Sequence, residues 1–372
     1  MDIENLQTPL YILEEEKLEK NLKLLSEVKN KSGAKILLAL KGFAFSGAMD
    51  MVSHYLDGCC ASGLFEAKYA KEKVSKEIHT YSPAFKDSEI DEIIKLSDHI
   101  VFNSFRQWQK YKKRAYLKTS CGLRINPEVS ASPAQIYNPC SLYSRLGITE
   151  KEFKGDLLEG IQGLHFHALC EQGADELEMV LKGFKKRFGE YIPLMKWVNF
   201  GGGHHITKEG YDIDKLIRLI CDFRTEYDVE VYLEPGEAVG WQSGVLVATV
   251  LDIVHNEIDI AILDTSAEAH MPDTIIMPYR PRVRFGGNKT QKKYSYRLAA
   301  NTCLAGDIMG DYSFDNPLKV GDKIIFEDQI HYTIVKNTTF NGIKLPDLAV
   351  MRKDGRVELV RTFGYEEYER RN

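Results

Sequence analysis

The chain has 372 residues, 44% of them hydrophobic and 28% charged, with a formal net charge of −5. That length can bury a large core and suits about two domains, and the slightly acidic balance offers nothing to attract nucleic acid or an anionic membrane. The seven cysteines are scattered with no CxxC pair, and no segment nears the ~20 apolar residues of a bilayer span, so the expectation is a cytoplasmic protein without a disulfide framework, acting on a small molecule.

In chain order, Thr8 to Leu13 is a strand candidate ahead of the first helix. Eight short apolar or β-branched runs follow, at residues 35–40, 56–62, 78–81, 99–102, 120–125, 163–167, 196–200 and 229–233. Between them lie segments such as Gly63 to Val74 and Ala174 to Phe188, with apolar residues three and four apart as in amphipathic helices. This alternation predicts an α/β fold, a TIM-type (β/α)8 barrel over residues 14–240. Beyond Gly236 the texture changes. Residues 245–254, 258–263, 294–299, 323–326 and 330–335 read as strands without helices, which predicts an all-β domain, a sandwich or barrel, made of residues 1–13 and 241–372. The basic stretch 284–293, with Gly286 and Gly287, reads as a loop.

On a barrel the strand ends form the catalytic face. Lys41 ends the run ILLALK, where partial desolvation would lower its pKa and suit it to a Schiff base; taken alone, it reads more simply as a lysine leaving a strand for solvent. His165 and His167 share one face by alternation, a pattern open to metal ligation, to stacking on an aromatic ligand or to hydrogen-bonded core histidines. Gly201, Gly202 and Gly203 would let backbone amides approach an anion, or form a tight turn. Glu234-Pro235-Gly236 sets a carboxylate at the eighth strand end. In the β part, Cys303 lies in NTCLAGD, a setting for an exposed reactive thiol, although burial is the commoner fate of a free cysteine.

A Schiff-base lysine, a histidine for a flat ring, glycines for a phosphate and a carboxylate for a ring nitrogen are together the needs of pyridoxal 5'-phosphate (PLP). With these motifs in this order, the chain resembles the fold-type III, alanine-racemase-like PLP enzymes over nearly its whole length, and within them the basic-amino-acid and diaminopimelate decarboxylases. The resemblance implies that Lys41 carries the cofactor, that His167 stacks on the pyridine face, and that Gly201, Gly202, Gly203, Gly236 and Tyr332 contact the phosphate. It implies that Glu234 pairs with the pyridine nitrogen. Cys303 resembles the cysteine that a partner subunit inserts into the site to return a proton, which implies a homodimer with composite active sites.

Residues 264–273, DTSAEAHMPD, and 303–307, CLAGD, resemble the branch that acts on carboxylated polyamines. The implied reaction is decarboxylation of carboxynorspermidine or carboxyspermidine in polyamine biosynthesis, with Glu237, Asp273 and Asp307 as candidate partners for the substrate's ammonium groups. An anionic Glu234 favours a protonated ring nitrogen and so decarboxylation over racemisation. Two positions depart from the wider family: Glu237 stands where an arginine usually follows Glu-Pro-Gly, and Leu304 where an acid usually follows the cysteine. The rivals are diaminopimelate decarboxylation, a non-catalytic PLP carrier, and a metal-dependent hydrolase built on the histidine pair with His204 and His205. No metal is expected on the favoured reading.

Overall fold

The computed structural model describes residues 5–132, 135–277 and 279–372, so the first four residues of the expected N-terminal segment lie outside the described ones. By contacts the chain divides into two compact units, one of Asn21–Gly42 and Met49–Val239, the other of Met1–Lys20, Phe43–Ala48 and Gly240–Asn372.

After strand β1 (Leu10–Glu14), the first unit holds eight parallel strands: β2 (Lys35–Ala39), β3 (Gly58–Ala61), β4 (Glu77–Tyr81), β5 (His99–Phe102), β6 (Ser120–Arg124), β7 (Gly163–His165), β8 (Trp197–Asn199) and β9 (Glu230–Leu233). Each pairs with the next, and β9 closes on β2 through Lys35 and Tyr232, so all eight expected runs form one closed barrel. Runs such as KILLA are apolar on both faces because the barrel interior takes one face and the helical coat the other.

Helices α1 (Glu15–Ser32), α2 (Met49–Tyr55), α3 (Leu64–Lys73), α4 (Ile90–Leu96), α5 (Phe105–Ala115), α6 (Ala174–Phe188) and α7 (Ile213–Tyr227) supply the coat, and α8 (Glu237–Gly240) follows β9. Ser104 starts α5 by accepting from the Gln107 amide, and Asp212 starts α7 by accepting from that of Lys215. The alternation is broken once. Among the described residues, β6 and β7 are joined by a long connection with three short 3-10 turns and no α-helix.

Leu37, Val101, Trp197 and Tyr232 pack inside the barrel. Trp197 fits only because β6 and β7 carry glycines: a Cβ on Gly163 would fall 2.1 Å from the indole, and one on Gly122 2.3 Å from it. Around it, at the strands' N-terminal ends, His79 and His99 stack at 3.9 Å, and Glu77 takes hydrogen bonds from Tyr232, Lys35 and His79.

In the second unit, β1 lies between β10 (Gly244–Asn256), antiparallel to it, and β16 (Asp347–Met351), parallel to it. The sheet runs on through β11 (Ile258–Leu263), β13 (Tyr294–Ala300), β14 (Ile308–Phe314) and β12 (Gly287–Asn288) on one side and β17 (Val357–Arg361) on the other, with β15 (Lys323–Glu327) paired to the first half of β10. The result is one mixed nine-stranded sheet that forks at β10. Leu10, Ile12, Val245, Val247, Ile325 and Ala349 form its core.

Two expectations change here. Residues 330–335 are not a strand: Tyr332 has φ +43° and Thr333–Lys336 form a 3-10 turn. The stretch 284–293 is not a free loop, because Gly287–Asn288 pairs with β14 and Lys292 bonds to Asp315. Two short helices, α9 (Ala267–His270) and α10 (Asp273–Ile276), also interrupt the sheet. None of the described helices is long and apolar enough to cross a membrane, and all seven cysteines are unpaired.

Candidate active site

The C-terminal strand ends of the barrel bring together Lys41, His165, His167, Gly201 to Gly203, Glu234 and Gly236. Lys41 sits in the turn after β2, which is pinned to the turn after β9 by the Ala39 amide bonding to the Pro235 carbonyl at 2.9 Å. The approach needs glycine on both sides: a Cβ on Gly42 would lie 3.0 Å from Gly236 Cα. The Lys41 side chain is accessible to solvent but crowded by protein. That crowding lowers its pKa, as does Arg124, against the opposing pull of Cys60, Glu234 and Cys170.

Glu234 is held at both oxygens. His165 Nε2 lies 3.3 Å from Oε2, and Asn199 Nδ2 donates to Oε1 at 2.7 Å. Desolvation works against the carboxylate's charge, but attraction and hydrogen bonding from His165, with help from His79 and Asn199, outweigh it and hold the pKa at about 2. The acid is therefore ionised throughout the physiological range.

The glycine turn is shaped by near contacts with its neighbours. Gly201 and Gly203 have φ of +70° and +83°, and Cβ atoms there would lie 2.3 Å from the Phe166 carbonyl and 2.0 Å from that of Leu169. Two of its amides are already engaged, which narrows the expectation that all three face an anion. The Gly201 amide donates to Asn199 Oδ1 at 2.8 Å and the Gly202 amide to His167 Nδ1 at 2.9 Å. The second bond makes Nδ1 of His167 an acceptor and leaves its proton on Nε2. Burial, then the Lys41 and Arg124 charges, push the His167 pKa well below its usual value, so the ring is neutral.

Reading the sequence missed Arg124 and Asn199. Arg124 ends β6 almost fully buried, with its guanidinium 4.5 Å from the centre of the Tyr81 ring and Nη2 3.4 Å from the His167 carbonyl. The signal was a charge closing an apolar strand, the argument already applied to Lys41. Asn199, fully buried, is the one polar residue in the run WVNF. In the histidine pair, Nε2 of His165 turns to Glu234 and Nδ1 of His167 accepts from the Gly202 amide, so each ring has one nitrogen engaged within the chain. Among the described residues, metal-ligating spacing occurs instead at Glu77, His79 and His99, at the far end of the strands. There the rings are within 15° of parallel, so their lone pairs do not converge, and the Lys35 ammonium is 3.1 Å from Glu77.

Of the candidates in the sheet unit, Cys303 is exposed, with its amide bonded to Asn341 Oδ1 at 2.6 Å. Asp307 is not free to bind substrate. It is 2% exposed and accepts from Ser266 Oγ and Thr302 Oγ1, each at 2.6 Å, and from the Ala267 amide at 2.7 Å, tying β14 to the start of α9. Both oxygens of Asp273 lie 2.7 Å from Lys336 Nζ, so its charge is matched within the chain. Glu237, at the start of α8, is the remaining candidate acid on the barrel.

The family model described as pyridoxal-dependent decarboxylase, C-terminal sheet domain, matches residues 19–329. The chain is 60% identical over its full length to a carboxynorspermidine/carboxyspermidine decarboxylase of Campylobacter jejuni, with all of both chains covered. It is 44% identical to a carboxyaminopropylagmatine decarboxylase of Synechocystis, over 99% of this chain and 96% of that one. The crystal structure of carboxynorspermidine decarboxylase from Campylobacter jejuni, complexed with norspermidine, is similar with a TM-score of 0.94 and 58% identity, covering 99% of this chain and 100% of the other. Identity at that level, spread over barrel and sheet alike, leaves no part of the chain outside the match: it belongs to the pyridoxal-dependent decarboxylases.

Proposed function

We propose that the chain decarboxylates carboxynorspermidine or carboxyspermidine, with pyridoxal 5'-phosphate joined to Lys41. The observation that carries the reading is the ionised, doubly held Glu234 at the same barrel mouth as Lys41, in a chain 60% identical throughout to a decarboxylase of those substrates. The residues suit the cofactor on structural grounds. Any side chain on Gly201, Gly202 or Gly203 would collide with neighbouring backbone, so the turn keeps the close access a phosphate requires. When bound, the cofactor supplies an electron sink for the charge left on Cα as CO2 departs.

The chain's own residues do the rest. Lys41, with its lowered pKa, loses its proton more readily than a free lysine, which suits it to joining the cofactor and being displaced by the substrate's amine. Glu234 keeps a proton on the pyridine nitrogen. The neutral His167 covers one ring face without adding charge, while the Gly203 and Gly236 amides receive the phosphate. Cys303 of a second copy returns the proton to Cα, making a homodimer with composite sites, and Glu237 pairs with a substrate ammonium.

Borohydride reduction tests the anchor: wild type gives a cofactor label on Lys41, and Lys41→Ala gives none. CO2 release from carboxynorspermidine, carboxyspermidine, carboxyaminopropylagmatine and diaminopimelate then tests the substrate. The 44% identity to the agmatine-derivative enzyme makes a guanidine-ended substrate the second reading. Turnover of diaminopimelate alone would overturn both. The two polyamines differ by one methylene, worth about 1–3 kcal/mol in an apolar pocket, so activity on both is expected, within about 200-fold.

A further inference from the structure

We infer that Asn199 is a positioning residue that locks the acid for the pyridine nitrogen to the glycine turn, so that both ends of the cofactor are recognised by one hydrogen-bonded unit. The inference rests on the proposed cofactor site and extends it. The two ends of the Asn199 amide do different work. Oδ1 accepts from the Gly201 amide at 2.8 Å, and Nδ2 donates to Glu234 Oε1 at 2.7 Å. The Glu234 amide in turn donates to the Gly201 carbonyl at 2.8 Å, closing a ring that runs from the turn to the acid's side chain and back to its backbone.

The residue is 0% exposed on β8, a strand whose other side chains are apolar, so no water can substitute for either bond. Orientation is fixed as well. An amide can meet one donor and one acceptor at once, and only with its oxygen toward Gly201 and its nitrogen toward Glu234. The adjoining Gly202 amide fixes His167 in the same way. Amides of the turn that look ready for an anion are therefore engaged in orienting the side chains for the ring.

The other titratable or charged groups acting on Glu234 are His165 on β7, His79 on β4, Cys60 on β3, Lys41 after β2 and His204 after the glycine turn. None of them joins the acid to the glycine turn by a hydrogen bond at each end, as Asn199 does.

Asn199→Asp separates the two ends. It is nearly isosteric and keeps an acceptor for Gly201, but it puts a second carboxylate oxygen against Glu234 where a donor stood. The measurement is a pH titration of the bound cofactor's visible band, in holoenzyme, with borohydride labelling of Lys41 to show the site intact. The expected result is labelling as in wild type with the midpoint moved by about one pH unit, the size of one hydrogen bond to a charged group. kcat should fall at least tenfold with KM changed less.

A midpoint within about 0.2 unit of wild type would overturn the inference, because a purely structural residue would leave the ring's proton undisturbed. Should Asn199→Asp not retain cofactor, His165→Gln carries the same readout. Its amide can donate to Glu234 Oε2, so it should label Lys41 and shift the midpoint less than His165→Leu, which leaves no donor there; equal midpoints in the two would overturn the link between the acid's donors and the ring. A wild type without a reducible band would instead sink the cofactor reading itself.

Discussion

At the scale of single residues, the acids divide by what holds them. Asp307 is fully engaged with Ser266, Thr302 and the Ala267 amide, so Asp307→Ala should leave several buried groups unpaired. A loss of about 2–4 kcal/mol in unfolding free energy is expected in denaturant titration, with residual activity tracking the folded fraction. Glu237→Gln should act on binding, raising KM for the polyamine with kcat changed less in steady-state assays. Lys41 and Glu234 each close an apolar run, a pattern that alone fits a residue leaving for solvent, and they became legible as a candidate site only in conjunction with the histidine and the glycines. Asp307 was misread because its acidic, glycine-containing neighbourhood looks like solvated loop. Only the fold reveals that α9 begins opposite it and brings amides to its carboxylate. Asn199 escaped notice for a related reason: one amide in an apolar strand carries no hint of which two groups it will join.

At the scale of elements, all eight barrel strands were legible, with ends within about two residues, since a parallel strand buried on both faces leaves a continuous apolar run between turn signals. The sheet unit was less so. IHYTIV, residues 330–335, has the β-branched composition of a strand, yet periodicity reports burial rather than backbone class, and positive φ at Tyr332 turns the chain there. β14, IMGDYSF, hides behind two polar residues and Gly310 at φ +138°. The long β6–β7 connection, without an α-helix among its described residues, breaks an alternation that the eight apolar runs alone suggest is complete. On the barrel floor, Gly163→Ala should force Trp197 out of place and cost about 2–3 kcal/mol, measured as a lowered midpoint in denaturant. Combining it with Trp197→Leu should cost less than the sum of the single changes, because both act on the same space.

For the whole molecule, buried titratable groups set the acid limit. Burial lowers the pKa of His99 to about 2, His204 to about 4 and His270 to about 3 from a usual 6.5. Between those values and 6.5 the unfolded chain holds protons that the folded one refuses, so stability falls with pH once it drops below 6.5. Glu234 and Glu77 have the opposite charge type and the same sign of effect. Their folded pKa values, about 2, lie below the usual 4.5, so their contribution is full above 4.5 and drains away as pH falls toward 2. Denaturation curves of the apoprotein should therefore show a first decline below pH 6.5 and a steeper one below 4.5, with His99→Gln flattening the first. The proposed composite sites give a separate test. Lys41→Ala and Cys303→Ala, each inactive alone, should recover about a quarter of wild-type activity when dissociated and mixed, since half the dimers would then carry one intact site of two.

The position of β1 has a consequence for how the chain is made. A ribosome delivers Leu10–Glu14 long before Asp347–Met351, yet the first segment needs the second along one edge and Gly244–Asn256 along the other. The barrel strands in between can close on one another as they emerge, because each of β2 to β8 pairs with the next to be synthesised. Leu10–Glu14 must wait, unpaired and apolar, until Gly244–Asn256 emerges, and its second edge stays open until Asp347–Met351 follows. A product terminated before Met351 would leave that waiting edge permanently open, marking the unfinished polypeptide for chaperone capture or degradation.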